Sequence, residues 1–429
     1  MKRIRTHLRL AAGALVLLIG VPAFAQGPQG GLDLRYGNAF APADLSEYAN
    51  RPEPKQGYFF SAHWLNWCFS EPKTVPIGSP NGRFVTTNVT QLAIFGPPYN
   101  PLLPDDFFRE LEGYTQQSEL NTGFINSEFK SGMRYEFGRI AGHHGWMVNT
   151  YFVQPDDQKV RFTSVPVTFY DPNNLLTGVV GTFIRPISDT QLAPVAEVGA
   201  IPVIYGAMEI QNRFSVWSVD ANYVYRMHRN HYRAPHYIKP ARALEKVFDG
   251  SLFEWYLGAR YTEMDGNFNV YGIGGTLSDS YWNTEAENHI VGPLAGVRWV
   301  HTHQRFSLAV DGRFIAGYNR QNFYQEGILG SAVTVGGIGN PTAWPGNPFT
   351  HKVHNDEFSP IAELRVEVKY QLTRALSFSV GWNGTWADHI ARASSVIDYR
   401  VPSLGIDLGR ADDENLFMHG LVIGAEINR

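Results

Sequence analysis

One hairpin constrains the fold of this chain more than any other segment. Apolar and polar residues alternate over residues 358–372, where Ile361 is the exception on the polar side, and the alternation resumes over 375–387 after a two-residue turn. Successive side chains on a strand point to opposite faces of a sheet. The pattern therefore predicts a β-hairpin with one apolar face and one polar face.

The polar face of this hairpin carries charges of both signs, at Glu363, Arg365, Glu367 and Lys369. The apolar face continues for roughly ten residues, which at about 3.3 Å per residue and about 45° of tilt crosses a hydrocarbon layer. A soluble β-sandwich has the same alternation with its apolar face turned inward. The hairpin alone leaves a transmembrane barrel and a soluble exported β-protein open.

The spacing of the other strands favours the barrel. Strands are predicted at 58–69, 125–137, 146–153, 214–227, 252–263, 288–300, 306–318 and 416–427, and long loops near 70–124, 154–212, 264–287, 320–357 and 389–415. Long and short connections alternate, as in outer-membrane barrels with external loops and tight periplasmic turns. We predict an all-β, transmembrane up-and-down antiparallel β-barrel of about ten strands. Twelve strands are the alternative, if the first two long loops contribute a hairpin.

Residues 1–25 have the pattern of an export signal. A basic start precedes a mostly apolar stretch at 8–21, and an Ala-Phe-Ala sequence ends at Ala25. Cleavage is predicted between Ala25 and Gln26, before a periplasmic linker at 26–56 and a single barrel domain at 57–429. The expected location is the outer membrane of a Gram-negative-type bacterium.

The composition argues against several function classes. The net charge of −4 comes without a Lys/Arg-rich face, which argues against nucleic acid as a partner. Cys68 is the one cysteine, so no internal disulfide can form. Neither G-x-S-x-G nor H-E-x-x-H occurs, and we predict no cofactor and no catalytic residues.

The charged residues predicted to face inward are the largest group of candidate functional residues. They are Glu128, Lys130, Arg134, Glu136, Asp220, Arg226, Glu254, Arg260, Arg298, Asp311, Arg313, Glu363, Arg365, Glu367, Lys369 and Glu426. Three interpretations are open: mixed-sign pairs that fill a small lumen, a narrow hydrated passage for small polar solutes, and paired carboxylates for acid–base chemistry.

The outward-facing residues are predicted to contact lipid. They are Met133, Tyr135, Phe137, Trp217, Val219, Tyr223, Trp255, Leu257, Val297, Leu308, Val310, Leu364, Val366, Val368, Phe378, Val380, Trp382, Leu421 and Ile423. Outer-membrane lipid and the outer-membrane assembly machinery are the expected partners.

The histidines are the residues that could form a metal site or the catalytic site of an enzyme. Seven of the 14 fall in or beside predicted short turns, at 143–144, 228–236 and 301–303, where solvated imidazoles rather than metal ligands are expected. A protease or lipid hydrolase would need a histidine with acidic partners at the loop-side rim. The residues that qualify are His351 and His354 with Asp356 and Glu357, and Asp388 with His389.

Several segments resemble a known family. These are LGARYTEMD at 257–265, the stretch at 288–321, YQLTRALSFSVGWNGTWADHIARASSVID at 370–398 and LFMHGLVIGAE at 416–426. They are similar to planctomycete outer-membrane β-barrel proteins described as porin-like. The resemblance implies fold and location more than activity, and it implies no catalytic residues. The expected function is porin-like permeation of small polar solutes, or a structural or surface role.

Overall fold

The computed structural model describes residues 57–79, 84–86, 114–116, 120–170, 200–229, 249–275, 279–303, 305–331, 346–373, 375–401, 403–410 and 414–428. No helix among these residues is long and apolar enough to cross a membrane. The predicted signal at 1–25, its cleavage between Ala25 and Gln26, and the linker at 26–56 lie outside the described residues.

The described residues form mainly β-strands. Their bounds are β1 (Gly57–Phe69), β2 (Phe84–Thr86), β3 (Tyr114–Gln116), β4 (Phe129–Ala141), β5 (His144–Tyr170), β6 (Ala200–Arg229), β7 (Asp249–Ile273), β8 (Ser280–His303), β9 (Phe306–Ile315), β10 (Tyr318–Ile328), β11 (Phe349–Phe358), β12 (Ile361–Gln371), β13 (Leu376–Ala387), β14 (Ile397–Asp398), β15 (Gly405–Ile406) and β16 (Leu416–Asn428). Short 3-10 helices occupy Thr122–Phe124 and Leu408–Arg410.

Ten of these strands close into an antiparallel barrel. Their order is β8-β7-β6-β5-β4-β1-β16-β13-β12-β9, and β9 pairs back onto β8. The first and last strands pair along their length, for example at Trp64 and Ile423. Closure gives each ring strand two neighbours, which satisfies backbone groups that would be costly to expose to lipid. The predicted ten-stranded up-and-down barrel is confirmed.

The two ends of the barrel differ. At one end, which we call the short-turn end, only a few residues separate β4 from β5, β8 from β9 and β12 from β13. At the other, long-loop end, six strands continue beyond the ring as a curved sheet ordered β5-β6-β7-β8-β10-β11. We call this sheet the sheet extension; it comprises residues 156–170, 200–215, 264–273, 280–290, 318–328 and 349–358.

The sheet extension corrects the predicted loops. Strands occupy much of the ranges 154–212, 264–287 and 320–357, and the two strands additional to the ring, β10 and β11, come from the last of these rather than from the first two long loops. Only residues 316–317 separate β9 from β10, and residues 359–360 separate β11 from β12. In the sheet extension the apolar side chains, such as Phe268, Trp282 and Phe323, face inward and the polar ones face outward, which is the reverse of a lipid-spanning strand.

The outer face of the ring is apolar. Every residue of the predicted outward set is exposed or half-buried, and Leu257 is 67% exposed. Exposed aromatic residues lie near both ends of the strands, for example Phe152 and Phe358 at the long-loop end, and Trp146 and Phe306 at the short-turn end. The 12 residue steps from Phe358 to Tyr370, at about 3.3 Å each and about 45° of tilt, span roughly 28 Å, close to the apolar band of about 25 Å in outer-membrane barrels.

Candidate functional site in the barrel lumen

The predicted inward charges lie inside the barrel, with one exception. Ten are less than 10% exposed: Arg134, Glu136, Asp220, Glu254, Arg260, Asp311, Arg313, Glu363, Arg365 and Glu367. Lys130, Arg226, Arg298, Lys369 and Glu426 are half-buried. Glu128 precedes β4, its side chain is 54% exposed, and it pairs with Lys130 at 2.6 Å. The predicted strand at 125–137 began four residues too early, so the inward assignment of Glu128 was wrong.

Glu363 on β12 lies at the centre of one half of the buried network. Its Oε1 accepts a hydrogen bond from Arg134 at 2.9 Å, and its Oε2 accepts one from Arg260 at 2.8 Å. Arg260 also donates to Asp220 at 2.8 Å. Charge-assisted pairs of this geometry are among the stronger hydrogen bonds in proteins. Each of these charges therefore has an opposite charge in place of water.

Asp311 on β9 plays the same part in the other half of the network. It accepts hydrogen bonds from Arg298 at 2.8 Å, Arg313 at 2.9 Å and Arg365 at 3.1 Å. Arg365 continues to Glu136 at 2.6 Å. Arg313 also lies 3.8 Å from Asp220, and this contact joins the two halves into one connected network.

Two pairs of this network cross the lumen. The strands β4 and β12 are four steps apart in the ring, yet Arg134 on β4 contacts Glu363 on β12, and Arg365 on β12 contacts Glu136 on β4. Ion pairs can bridge nonadjacent strands only where the lumen between them is narrow. The mixed-sign charges therefore connect opposite walls.

Apolar side chains fill the lumen around the network. Leu65 and Trp67 on β1 are 0% exposed, and Ile361, the exception in the hairpin pattern, is buried in the same cluster. The guanidinium of Arg134 lies 5.4 Å from the Trp67 ring centroid and 5.5 Å from that of Tyr151. Cation–π contacts of this kind favour a desolvated cation. The lumen at this level is a packed interior.

The segment at 389–404, which we call the mouth plug, closes the long-loop end. Its side chains at Ala391, Val396, Ile397 and Leu404 are at most 1% exposed and pack among apolar residues of the sheet extension. Trp282 contacts Tyr399 edge-on, with ring centroids 6.2 Å apart. The sequence prediction of an external loop at 389–415 missed this segment, although its apolar content exceeds that of a solvated loop.

Polar side chains of the sheet extension, together with Ser359, hold the start of the mouth plug. The carbonyl oxygen of His389 accepts hydrogen bonds from Asn319, Gln321 and Ser359 at 2.9–3.2 Å. The Asn288 amide donates to the Ala391 carbonyl at 2.9 Å and accepts from the Ala391 N–H at 2.9 Å. Asn288 thus supplies the two hydrogen bonds that a neighbouring strand would supply.

We expect Asn288→Ala to weaken the attachment of the mouth plug. The substitution leaves a buried N–H and a buried carbonyl without partners, at a cost of roughly 1–3 kcal/mol each. Limited proteolysis should then cleave within 389–404 faster than in the unmodified chain. Asn283→Ala, a half-buried position on the outer face of the same strand, is the control and should leave cleavage unchanged. Equal cleavage rates in all three proteins would contradict the role of Asn288.

A buried ion pair adjoins the mouth plug. Arg392 lies 3.9 Å from Glu414 and 4.0 Å from the Phe214 ring centroid. Burial lowers the pKa of the Arg392 guanidinium to about 10. Burial also raises the pKa of the Glu414 carboxyl. Both shifts come from loss of water around the charged forms, as expected where a plug excludes solvent.

The histidines nominated for catalysis do not form one site. His351 and His354 lie on opposite faces of β11, and Asp356 shares the exposed face with His354 whereas Glu357 shares the face of His351. His389 lies 3.4 Å from Asp388. Within the described ranges no group of three His, Cys, Asp or Glu residues is arranged to hold a metal ion.

Comparisons with known proteins bear on this barrel. A family model described as "Putative beta barrel porin-7 (BBP7)" matches residues 113–428. No curated protein sequence matches the chain. The outer membrane protease OmpT from Escherichia coli aligns with a TM-score of 0.35 and 6% identity, over 89% of this chain and 99% of that chain. The CymD monoaromatic hydrocarbon channel aligns with a TM-score of 0.23 and 7% identity, over 90% of this chain and 91% of that chain. A Pseudomonas aeruginosa FadL homologue aligns with a TM-score of 0.21 and 8% identity, over 91% of this chain and 95% of that chain. TM-scores this low carry no argument about function.

Proposed function

Since the chain belongs to the BBP7 family of β-barrel porins, we propose that it is an outer-membrane barrel whose lumen is closed at rest and which holds its sheet extension outside the membrane. Its role is then structural or surface-related. Outer-membrane lipid is the partner of the outward apolar band, and export by the signal at 1–25 and insertion by the outer-membrane assembly machinery bring the barrel there.

The observation that carries this proposal is the pair of ion contacts across the lumen. Arg134 and Glu363 are 0% and 3% exposed as side chains, and Arg365 and Glu136 are each 4% exposed. A conducting passage would keep such groups hydrated. Buried charges that are ion-paired and surrounded by packed apolar side chains instead favour a filled lumen.

Permeation of small polar solutes is the second candidate function. Membership of a porin family favours it, as does a lumen lined at mid-height by charges of both signs. On this alternative the network is a gate, and its pairs open while a solute passes. Both candidates are non-catalytic, in keeping with a porin family.

Conductance in planar lipid bilayers separates the two candidates. For the refolded chain from Gln26 onward we expect no ion current above that of bare lipid at neutral pH. The double variant Arg365→Ala with Glu136→Ala removes one cross-lumen pair without changing net charge, and we expect it to conduct. A steady open current through the unmodified chain would overturn the closed lumen and favour permeation. Protease protection in vesicles confirms insertion in both cases.

A further inference from the structure

One buried histidine of the lumen belongs to no ion pair of the network described above. His63 on β1 is 1% exposed, and its register partners are Arg134 on β4 and Gly424 on β16. A Cβ added at Gly424 would collide with the His63 ring. The glycine therefore leaves the space that the imidazole occupies.

Unpartnered polar atoms surround this ring. Both ring nitrogens of His63, the hydroxyl of Ser61 and Oε1 of Glu367 are buried and have no hydrogen-bond partner among the described residues. Nδ1 of His63 lies 3.9 Å from Oε1 of Glu367. Buried polar atoms are normally hydrogen-bonded, so several unsatisfied atoms at one place indicate a site with unused binding capacity. A neutral imidazole has one donor and one acceptor nitrogen, and protonation converts both to donors.

The charges around His63 come from the two strands that neighbour β1, which are β4 and β16, and from β12 across the lumen. They are Arg134 and Glu136 on β4, Arg365, Glu367 and Lys369 on β12, and Glu426 on β16. Apart from Lys130, which pairs with Asp156 at 3.1 Å, the ion-paired lumen groups comprise seven cations (Arg134, Arg226, Arg260, Arg298, Arg313, Arg365, Lys369) and seven carboxylates (Glu136, Asp220, Glu254, Asp311, Glu363, Glu367, Glu426). The network is therefore balanced when His63 is neutral.

We propose that His63 is a proton-binding site through which the pH at the short-turn end controls closure of the lumen. The proposal rests on the closed lumen proposed above. Lys369 and Glu426 form a pair at 2.6 Å, and each side chain is 21% exposed. They lie between His63 and the water at the short-turn end, next to Glu367, and so provide an entry route for a proton.

The proton changes the partners of Arg365. Arg365 contacts Glu136 at 2.6 Å, Asp311 at 3.1 Å and Glu367 at 3.5 Å. A proton from water binds the free ring nitrogen, and the imidazolium N–H groups attract Glu136 and Glu367. Arg365 then retains only Asp311, and the buried network carries one uncompensated positive charge. Such a charge is costly in a packed interior, so protonation favours an opened, hydrated network.

Bilayer recordings with the pH varied at the short-turn side test this site. We expect the unmodified chain to be silent at about pH 7 and to conduct reversibly at about pH 4, below the ordinary imidazole pKa of about 6.5. His63→Gln keeps a neutral polar side chain but cannot bind the proton, and should lower the acid-induced open probability by about tenfold or more. His303→Gln, at an exposed position at the end of β8, is the control and should respond like the unmodified chain. NMR of the His63 ring should show it titrating over the same pH range as the current.

The outcomes separate this inference from the proposed function. An acid response that survives in His63→Gln overturns the proton-binding site, and so does a ring that stays neutral while current appears. Silence at both pH values also overturns it but leaves the closed lumen intact. Current through the unmodified chain at neutral pH overturns the closed lumen itself.

Discussion

Replacement of Glu363 by glutamine should destabilise the barrel by about 3–5 kcal/mol, the usual cost of removing one partner of a buried ion pair. Arg134 is 0% exposed as a side chain, and Glu363 is its hydrogen-bonded carboxylate at 2.9 Å. The variant leaves that guanidinium buried without a countercharge. Urea-induced unfolding in phospholipid vesicles measures the free energy of unfolding directly.

Two further variants make this result interpretable. Glu209→Gln removes an ion pair with Arg161 at 3.0 Å, in which the Arg161 side chain is 60% exposed and the Glu209 side chain is 47% exposed. Exposed ion pairs contribute only about 0–1 kcal/mol to the free energy of unfolding. Arg134→Met combined with Glu363→Gln removes both charges and should recover most of the lost stability. Equal stability of Glu363→Gln and the unmodified chain would mean that water reaches Arg134, and the filled lumen would be wrong.

Val380→Arg should cost about 2–4 kcal/mol of unfolding free energy in a lipid bilayer, as measured for cations near the midplane on the lipid face of barrels. Val380 is 53% exposed and lies on the outer face of β13, opposite Val368 and Ile423 of the neighbouring strands. A guanidinium there would lose its hydration to acyl chains. Refolding into phospholipid vesicles at graded urea concentrations measures the effect.

Ile273→Arg is the matched control for Val380→Arg. Ile273 is an aliphatic residue, 40% exposed, at the end of β7 in the sheet extension. Because that position lies beyond the apolar band, the same charge should change stability by no more than about 0.5 kcal/mol. If both arginines were tolerated equally, the outer face of the ring would be in contact with water and the membrane location would be untenable.

The ring strands could be predicted because lipid imposes a pattern on them. Outside, apolar residues such as Leu364 and Phe378 predominate, and the opposite face is free to carry charges such as Arg365. This contrast between the two faces repeats every second residue. A strand can therefore be predicted from it without knowing which residues meet from distant parts of the chain. The sheet extension has the reverse contrast, with apolar residues such as Phe323 inside and polar residues outside, so β10 and β11 were predicted as a loop.

The filled lumen was harder to predict, since it depends on contacts between residues far apart in sequence. Arg134 and Glu363 are 229 positions apart, and Asn288 is 103 positions from Ala391. One local signal was present. Leu65, Trp67 and Ile361 are apolar residues on faces expected to be polar, and all three are buried inside. An inward face that mixes charges with large apolar side chains indicates a packed interior.

The pairing of β1 with β16 determines when the barrel can be completed. These strands are the first and last of the described ring, so the seam between them joins residues such as Phe59 and Asn428 from opposite ends of the chain. Contacts over so long a separation form late and slowly. Until the C-terminal strand arrives, β1 and β13 each present a row of unsatisfied amides to their surroundings, and a chain that stops before Leu416 has no means of covering them.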